Sequence, residues 1–361
     1  MKCLNIFKLN FLIFLIVLLI PVTGKTQPPG TILKSEFIYS REKVSFPGCH
    51  ASTIAETPDG LVAAWFGGTH ERHPDVGIWL SRGVKGKWTV PVEVANGVQN
   101  ETLRYPTWNP VLFMGDRTLY LFYKVGPSPS TWWGEMKTSK DFGLSWSASV
   151  RLPEGIYGPI KNKPELLKGG RLLCPSSTED HGWKVHMEWT DDSGQSWHRT
   201  EALNNGDTLA AIQPTILLHK GDLPHKGDRL QVLCRTKKDR IYTSWSGDQG
   251  ETWTPLTPLE LPNNNSGIDA VTLKDGRHLL VYNPADQTHD RGARNRLNLA
   301  VSHDGIHWED AVILENDENR KAEYSYPAII QTSDGLVHIT YTWKRELIRH
   351  VVIDPKQIKA D

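Results

Sequence analysis

The feature that most constrains this chain is a short box that recurs along it. Ser139–Trp146 reads S-K-D-F-G-L-S-W, Thr190–Trp197 reads T-D-D-S-G-Q-S-W and Ser246–Trp253 reads S-G-D-Q-G-E-T-W. Ser302–Trp308, S-H-D-G-I-H-W, is one residue shorter, and Ser81–Trp88, S-R-G-V-K-G-K-W, keeps the Ser and the Trp but not the Asp. The five tryptophans fall at positions 88, 146, 197, 253 and 308. A near-constant period of this length marks a repeat architecture.

The box has a local physical logic. The Asp carboxylate can accept hydrogen bonds from nearby backbone N–H groups, and Gly can take a backbone conformation closed to other residues, so together they make a tight turn. The Trp that follows is expected to be buried between neighbouring repeats. This pattern resembles the Asp-box, or bacterial neuraminidase repeat, of sialidase-like propellers. The box is structural, so it bears on the fold and not on the chemistry.

A second period agrees with the first. An apolar strand, a Gly/Asp turn and another apolar strand occur six times, with turns at Asp59-Gly60, Gly115-Asp116, Gly169-Gly170, Gly227-Asp228, Asp275-Gly276 and Asp334-Gly335. These are hairpin signals. Six hairpins, five of them followed by a box or its remnant, imply an all-β fold: a six-bladed β-propeller of four-stranded blades around a central channel. The sixth hairpin is followed only by the apolar run 348–353, so its blade lacks an outer strand. Residues 36–39 can supply that strand and close the ring, removing an exposed sheet edge. No linker or composition shift divides residues 27–361, which read as a single domain.

Residues 1–26 read as a secretory signal: Lys2 and Lys8, then the unbroken apolar run 11–20, then Pro21 and small or polar residues. That run is too short to span a bilayer. The expected location is periplasmic or secreted, with no membrane span in the mature protein. Cys49, Cys174 and Cys234 remain after cleavage, an odd number in apolar contexts, so buried thiols are expected rather than a disulfide framework. Lys+Arg and Asp+Glu both number 41, and this balance gives no sign of a nucleic-acid partner. Nothing in the pattern calls for a second subunit, a cofactor or a metal; His70-x-x-His73 has metal-like spacing but lies in a mixed polar loop.

In a propeller the first strand of each blade lines the channel, and its N-terminal end faces one mouth. Residues so placed include His50, Trp108, Asn109, Lys161, Lys163, Gln213, Asp269 and Tyr324 to Tyr326, with Glu71 and Asp75 on a first-blade loop. Basic and aromatic groups from all six blades converge there, as in a site for an acidic, hydroxylated ligand.

The resemblance to sialidases then implies roles. Sialidases hold a substrate carboxylate with three arginines. Phe46–His50, F-P-G-C-H, lacks the first and offers His50 nearby. The second resembles Arg235 in V-L-C-R-T, and the third resembles Arg296 or Arg294. The nucleophilic tyrosine resembles Tyr324 in Tyr324-Ser325, and the acid/base aspartate corresponds to Asp75. Where a glutamate would take the tyrosine's proton the chain reads N-K-P, placing Lys163 beside Tyr324, with Lys161 close by. A lysine there suits a tyrosine that moves a substrate proton better than one that attacks a sugar. The expectation is therefore a carbohydrate-active enzyme working at the non-reducing end of an acidic oligosaccharide. β-Elimination on a terminal uronate, by a lyase or a dehydratase, comes first; sialidase-type hydrolysis is the alternative, and a non-catalytic glycan-binding propeller the third reading. Tyr324, His50, Lys163 and Asp75 are the catalytic candidates. Arg235, Arg296, Arg294, Lys161, Asn109, Gln213 and Trp108 are the binding candidates.

Overall fold

The computed structural model describes residues 30–221, 228–286 and 293–359. The basic-apolar N-terminal run lies outside these residues. The described chain is all-β, folded as six antiparallel sheets; its helical turns are two three-residue pieces, Arg41–Lys43 and Pro355–Gln357. Each sheet is one blade. The inner strands are Gly48–Thr57, Thr107–Met114, Glu165–Leu166, Ala211–His219, Asp269–Thr272 and Tyr324–Gln331, and the first and last of them touch to close the ring. Among the described residues no helix is long and apolar enough to cross a membrane.

The boxes form the turn before the outermost strand. In the blade-3 box the Asp192 carboxylate accepts the Ser196 N–H and the Thr190 hydroxyl, each at 2.8 Å, while Thr190 Oγ1 accepts the Gly194 N–H at 2.8 Å. Gly194 sits at φ 94°, so a side chain there would strain the turn. Asp141 and Asp248 organise their boxes in the same way.

The box tryptophans correct the expectation of full burial. Trp146, Trp197, Trp253 and Trp308 are half-buried. Each lies against apolar residues shared with the preceding blade; Trp197 meets Phe122 edge-on at 6.2 Å. The reason is the indole N–H. In Trp197, Trp253 and Trp308 it donates to the glycine carbonyl of its own box, at 3.2, 2.9 and 3.0 Å, which keeps the ring at the blade rim. Deeper burial falls to aliphatic side chains between blades, such as Leu279, Leu299 and Ile339, each fully enclosed. Burying one such side chain stabilises the fold by roughly 1.5–3 kcal/mol. Cys49, Cys174 and Cys234 are buried free thiols, and burial pushes Cys49 up to about 12.

The ring closes between blades 6 and 1. Ile32–Phe37 pairs antiparallel with Leu347–Ile353 as the outer strand of blade 6. Glu36 on this strand accepts the Trp88 indole N–H at 3.1 Å and contacts His350 Nδ1 at 3.1 Å. His350 Nε2 lies 3.0 Å from His338 Nδ1, and the two rings stack. The worn box at Ser81–Trp88 therefore keeps its tryptophan for the seam.

Candidate functional site

The site is built from a bulge that four inner strands share. Pairing slips between His50 and Thr53, Trp108 and Val111, Ile212 and Thr215, and Ser325 and Ala328. In each slip one residue takes a left-handed backbone: Ala51 at φ 57°, Asn109 at 30°, Gln213 at 53° and Tyr326 at 52°. Non-glycine residues take this conformation elsewhere in the chain mainly in turns, such as Phe142, Ser193 and Gln249 of the boxes, whereas here it recurs inside paired strands. Three of the four precede proline, which brings no N–H to leave unpaired at the break in the ladder.

The bulge decides which tyrosine faces the mouth. Tyr324 packs into the apolar core between blades 5 and 6, beside Tyr341 and Leu297, so it is not at the mouth. Tyr326 is there instead. Its hydroxyl accepts Arg235 Nη1 at 3.0 Å and Gln213 Nε2 at 3.4 Å. Arg235 Nη1 also reaches Gln213 Oε1 at 3.0 Å, and Asn265 takes the other side of the guanidinium, with its Oδ1 2.9 Å from Nη2. The Asn263–Ser266 run, which in sequence shows only an N-x-S match, thus serves as the clamp on Arg235.

His50 lies against Tyr326, with ring centroids 4.1 Å apart, and is 2% exposed. Neither of its ring nitrogens has a hydrogen-bond partner among the described residues. Burial, then Arg345, Arg294, Arg235 and Lys161, hold its pKa well below the usual imidazole range. The imidazole is therefore neutral, with a free lone pair. It lines a cavity of about 340 Å³ together with Phe66, Thr69, His70, Glu71 and Arg345.

Three guanidiniums act on His50, and one of them, Arg345, lines the cavity. Arg235 comes from blade 4, and Arg294 lies just before the strand Arg296–Ser302. Arg345 comes from the last hairpin, where it and Lys344 sit at φ 56° and 54°. Glu323 joins two of them, contacting Arg345 Nε at 3.0 Å and Arg294 Nη1 at 3.3 Å. Burial works against the charge on Glu323, but Arg345 and Arg294 prevail and hold its pKa below the usual range. Across the mouth, burial raises the Glu179 carboxyl although Arg235 and Lys237 oppose it. Trp183 stands beside them, with Arg235 5.3 Å and Lys237 3.9 Å from its ring centroid.

Other candidates are placed elsewhere. Arg296 is exposed as the first residue of its strand, so Arg294, two residues before it, joins the cluster instead. Lys163 pairs with Asp269 at 3.1 Å and the Ala270 carbonyl at 2.6 Å; it lines the other end of the channel with Glu56 and Glu165. Blade 3 has no left-handed residue at this point, so nothing turns Lys163 up to the mouth. Gln213, not Lys163, is the side chain against the tyrosine. Lys161 is buried beneath the site, where its ammonium donates to the carbonyls of Ile268 and Pro327 and lies 5.8 Å from the Tyr326 ring centroid. Burial lowers it to about 7. Trp108 is a wall residue, donating to the Gly126 carbonyl at 2.8 Å and packing on Trp132. Asn109 holds the blade-2 bulge. Asp75 clasps its own loop, accepting the Thr69 N–H at 3.0 Å and pairing with His73 at 2.7 Å.

A ring of four-stranded blades with Asp-box turns, and an arginine-lined mouth holding a tyrosine, defines a sialidase-like six-bladed propeller. More particularly, the chain belongs to the family of BNR repeat-like domains, whose pattern it matches over residues 59–339. A sialidase of Clostridium perfringens is 24% identical over 205 residues, which cover 47% of this chain and 50% of that protein. The chain thus spans about half the length of this curated relative. Among solved structures, a Dyadobacter fermentans protein of unknown function superposes with a TM-score of 0.71 at 17% identity, covering 92% of this chain and all of that one. An intramolecular trans-sialidase from Ruminococcus gnavus, in complex with oseltamivir carboxylate, gives a TM-score of 0.69 at 14% identity, covering 92% and 99%.

Proposed function

We propose that this protein is a glycan-processing enzyme that removes a proton from a uronate and eliminates the oxygen at the neighbouring carbon. One observation carries the reading. Among the described residues, the groups against the Tyr326 hydroxyl are an amide and a guanidinium, with a neutral, unpaired imidazole beside the ring and no carboxylate in contact. Gln213 cannot take a proton from the tyrosine. Two N–H donors aimed at the phenol oxygen instead favour negative charge there.

In the proposed step the uronate carboxylate lies among Arg235, Arg294 and Arg345, which stabilise charge developing on the carbon beside it. His50 accepts the proton from that carbon. The C–H electron pair becomes the new C=C bond, and the C–O bond to the leaving oxygen breaks. Tyr326 gives its proton to that oxygen, and Arg235 and Gln213 hold the phenolate left behind. The leaving oxygen is glycosidic in a lyase and a free hydroxyl in a dehydratase. The N-terminal basic-apolar run supports action outside the cytoplasm.

A second reading, sialidase-type hydrolysis, is favoured by the clostridial relative and by Glu71 and Asp75 on the blade-1 loop. Under it Tyr326 would attack the sugar and form a glycosyl-enzyme. Gln213→Glu separates the two. A carboxylate at 213 would raise the release of sialic acid if Tyr326 is a nucleophile needing a proton acceptor. It would abolish elimination by placing negative charge beside the substrate carboxylate. The wild-type chain and the variant should be incubated with uronate-terminated and sialylated oligosaccharides, following the ultraviolet absorbance of an unsaturated uronate beside free-sugar release. Sialic acid release without any unsaturated product would overturn the elimination reading.

A further inference from the structure

The three arginines of the mouth are not equally committed. Arg235 donates to neutral groups, namely Gln213, Tyr326 and Asn265, and these bonds anchor it within the fold. Arg294 shares Glu323. Arg345 also contacts Glu323, through Nε, but it adds a second carboxylate. Its Nη1 lies 2.6 Å from Glu71 Oε2, an ion pair that joins the blade-1 loop to the last hairpin across the mouth. Both side chains are about 40% exposed. Arg345 and Glu71 line the same cavity as His50. Glu71 therefore puts a carboxylate on a guanidinium that faces the unpaired imidazole.

We propose that Glu71 is a built-in stand-in for the ligand's carboxylate: it occupies Arg345 in the empty site and is exchanged for the acidic group of the incoming sugar. This rests on the reading of the arginine cluster as a carboxylate cage. The exchange makes Glu71 an intramolecular competitor for Arg345 that sets how tightly an acidic sugar is held. A carboxylate replaces one charge on Arg345 with another. A neutral sugar has nothing to offer Arg345, so displacing Glu71 leaves Glu71 without a partner and Arg345 with Glu323 alone. Opening costs little for the right ligand, because exposed ion pairs are weak. Asp75 supports the device from behind: by bonding Thr69 and His73 it fixes the loop on which Glu71 is carried.

The test is calorimetric titration of the full chain with methyl β-D-glucuronide, N-acetylneuraminate, the methyl ester of the glucuronide and methyl β-D-glucoside. Removing the competitor in Glu71→Gln should tighten binding of the acid probe roughly two- to fivefold, the value of an exposed ion pair. The preference over the neutral glucoside should not narrow, because both ligands are relieved of at most the same opening cost. Arg345→Gln should weaken acid binding, and adding Glu71→Gln to it should change nothing further. Unchanged or weaker acid binding in a folded Glu71→Gln protein would overturn the exchange, because Glu71 would then only brace Arg345. If the wild-type chain binds neither acid better than the ester or the glucoside, the carboxylate cage itself fails, whatever Glu71 does.

Discussion

Among the places where this ring buries histidine, two treat it in opposite ways. At the seam, His350 is 3% exposed, and both ring nitrogens are engaged, by Glu36 and by His338. At the mouth, His50 is 2% exposed, and neither nitrogen is engaged among the described residues. Burying a polar group without a partner costs about 1–3 kcal/mol, so folds satisfy such groups wherever stability alone decides. The seam obeys that rule and the mouth breaks it. A lone pair left free beside a tyrosine and three guanidiniums is available to a substrate. The contrast divides the polar interior into groups that hold the ring together and groups held ready for a ligand.

The sharpest way to break this contrast is to exchange the consequences. His50→Gln should lower turnover by roughly 10²- to 10⁴-fold, the range for losing a general base, with little change in unfolding midpoint because no hydrogen bond is removed. A large fall in stability with activity retained would put His50 in the seam's class. His350→Ala should do the reverse. It leaves His338 without its partner and takes one contact from Glu36, which keeps Trp88 and Lys34, and should cost about 2–3 kcal/mol in chemical denaturation, with unchanged turnover per folded molecule.

Acid sharpens the comparison. Burial first, then the neighbouring His338, lowers His350 to about 4 despite its bond to Glu36, and burial lowers His338 in the same direction. Both histidines are neutral in the fold, whereas the unfolded chain takes up protons near the ordinary value of 6.5. Stability is therefore fully present above about 6.5 and is lost as pH falls from there toward about 4. Denaturation midpoints measured across that window should show this slope, and His350→Ala should flatten it. The smallest effect belongs to the blade rims. Trp197→Ala should cost about 2 kcal/mol, below the range for fully enclosed aromatics, because the ring is half-exposed. A cost of about 3–5 kcal/mol, the range for enclosed aromatics, would return the box tryptophans to the core.

What could be read from the sequence follows the same division. The boxes and hairpins are local and repeated, so Asp192, Gly194 and Trp197 declare their roles within eight residues. The site depends on geometry that no short stretch displays. Tyr324 opens its strand in a Tyr-Ser pair, yet one bulge later it is Tyr326 that turns to the axis. A signal was present: Tyr326-Pro327 aligns with Gln213-Pro214 and Asn109-Pro110 as residue-proline pairs on inner strands. Lys163-Pro164 shares the pair but not the left-handed backbone, so proline alone would have misled at that blade. Arg345 carries no motif. It reaches His50 only because the ring brings the last hairpin against the first blade, where the Cys49 N–H donates to the Arg345 carbonyl at 2.9 Å.

The closing seam has a consequence for timing. Ile32–Phe37 pairs with Leu347–Ile353, far along the chain, and contacts so distant are slow to form. Arg345 sits on that same hairpin. A chain cut before residue 345 therefore holds blades and boxes but lacks one wall of its pocket. That wall arrives together with topological closure of the ring, however well the earlier blades have folded.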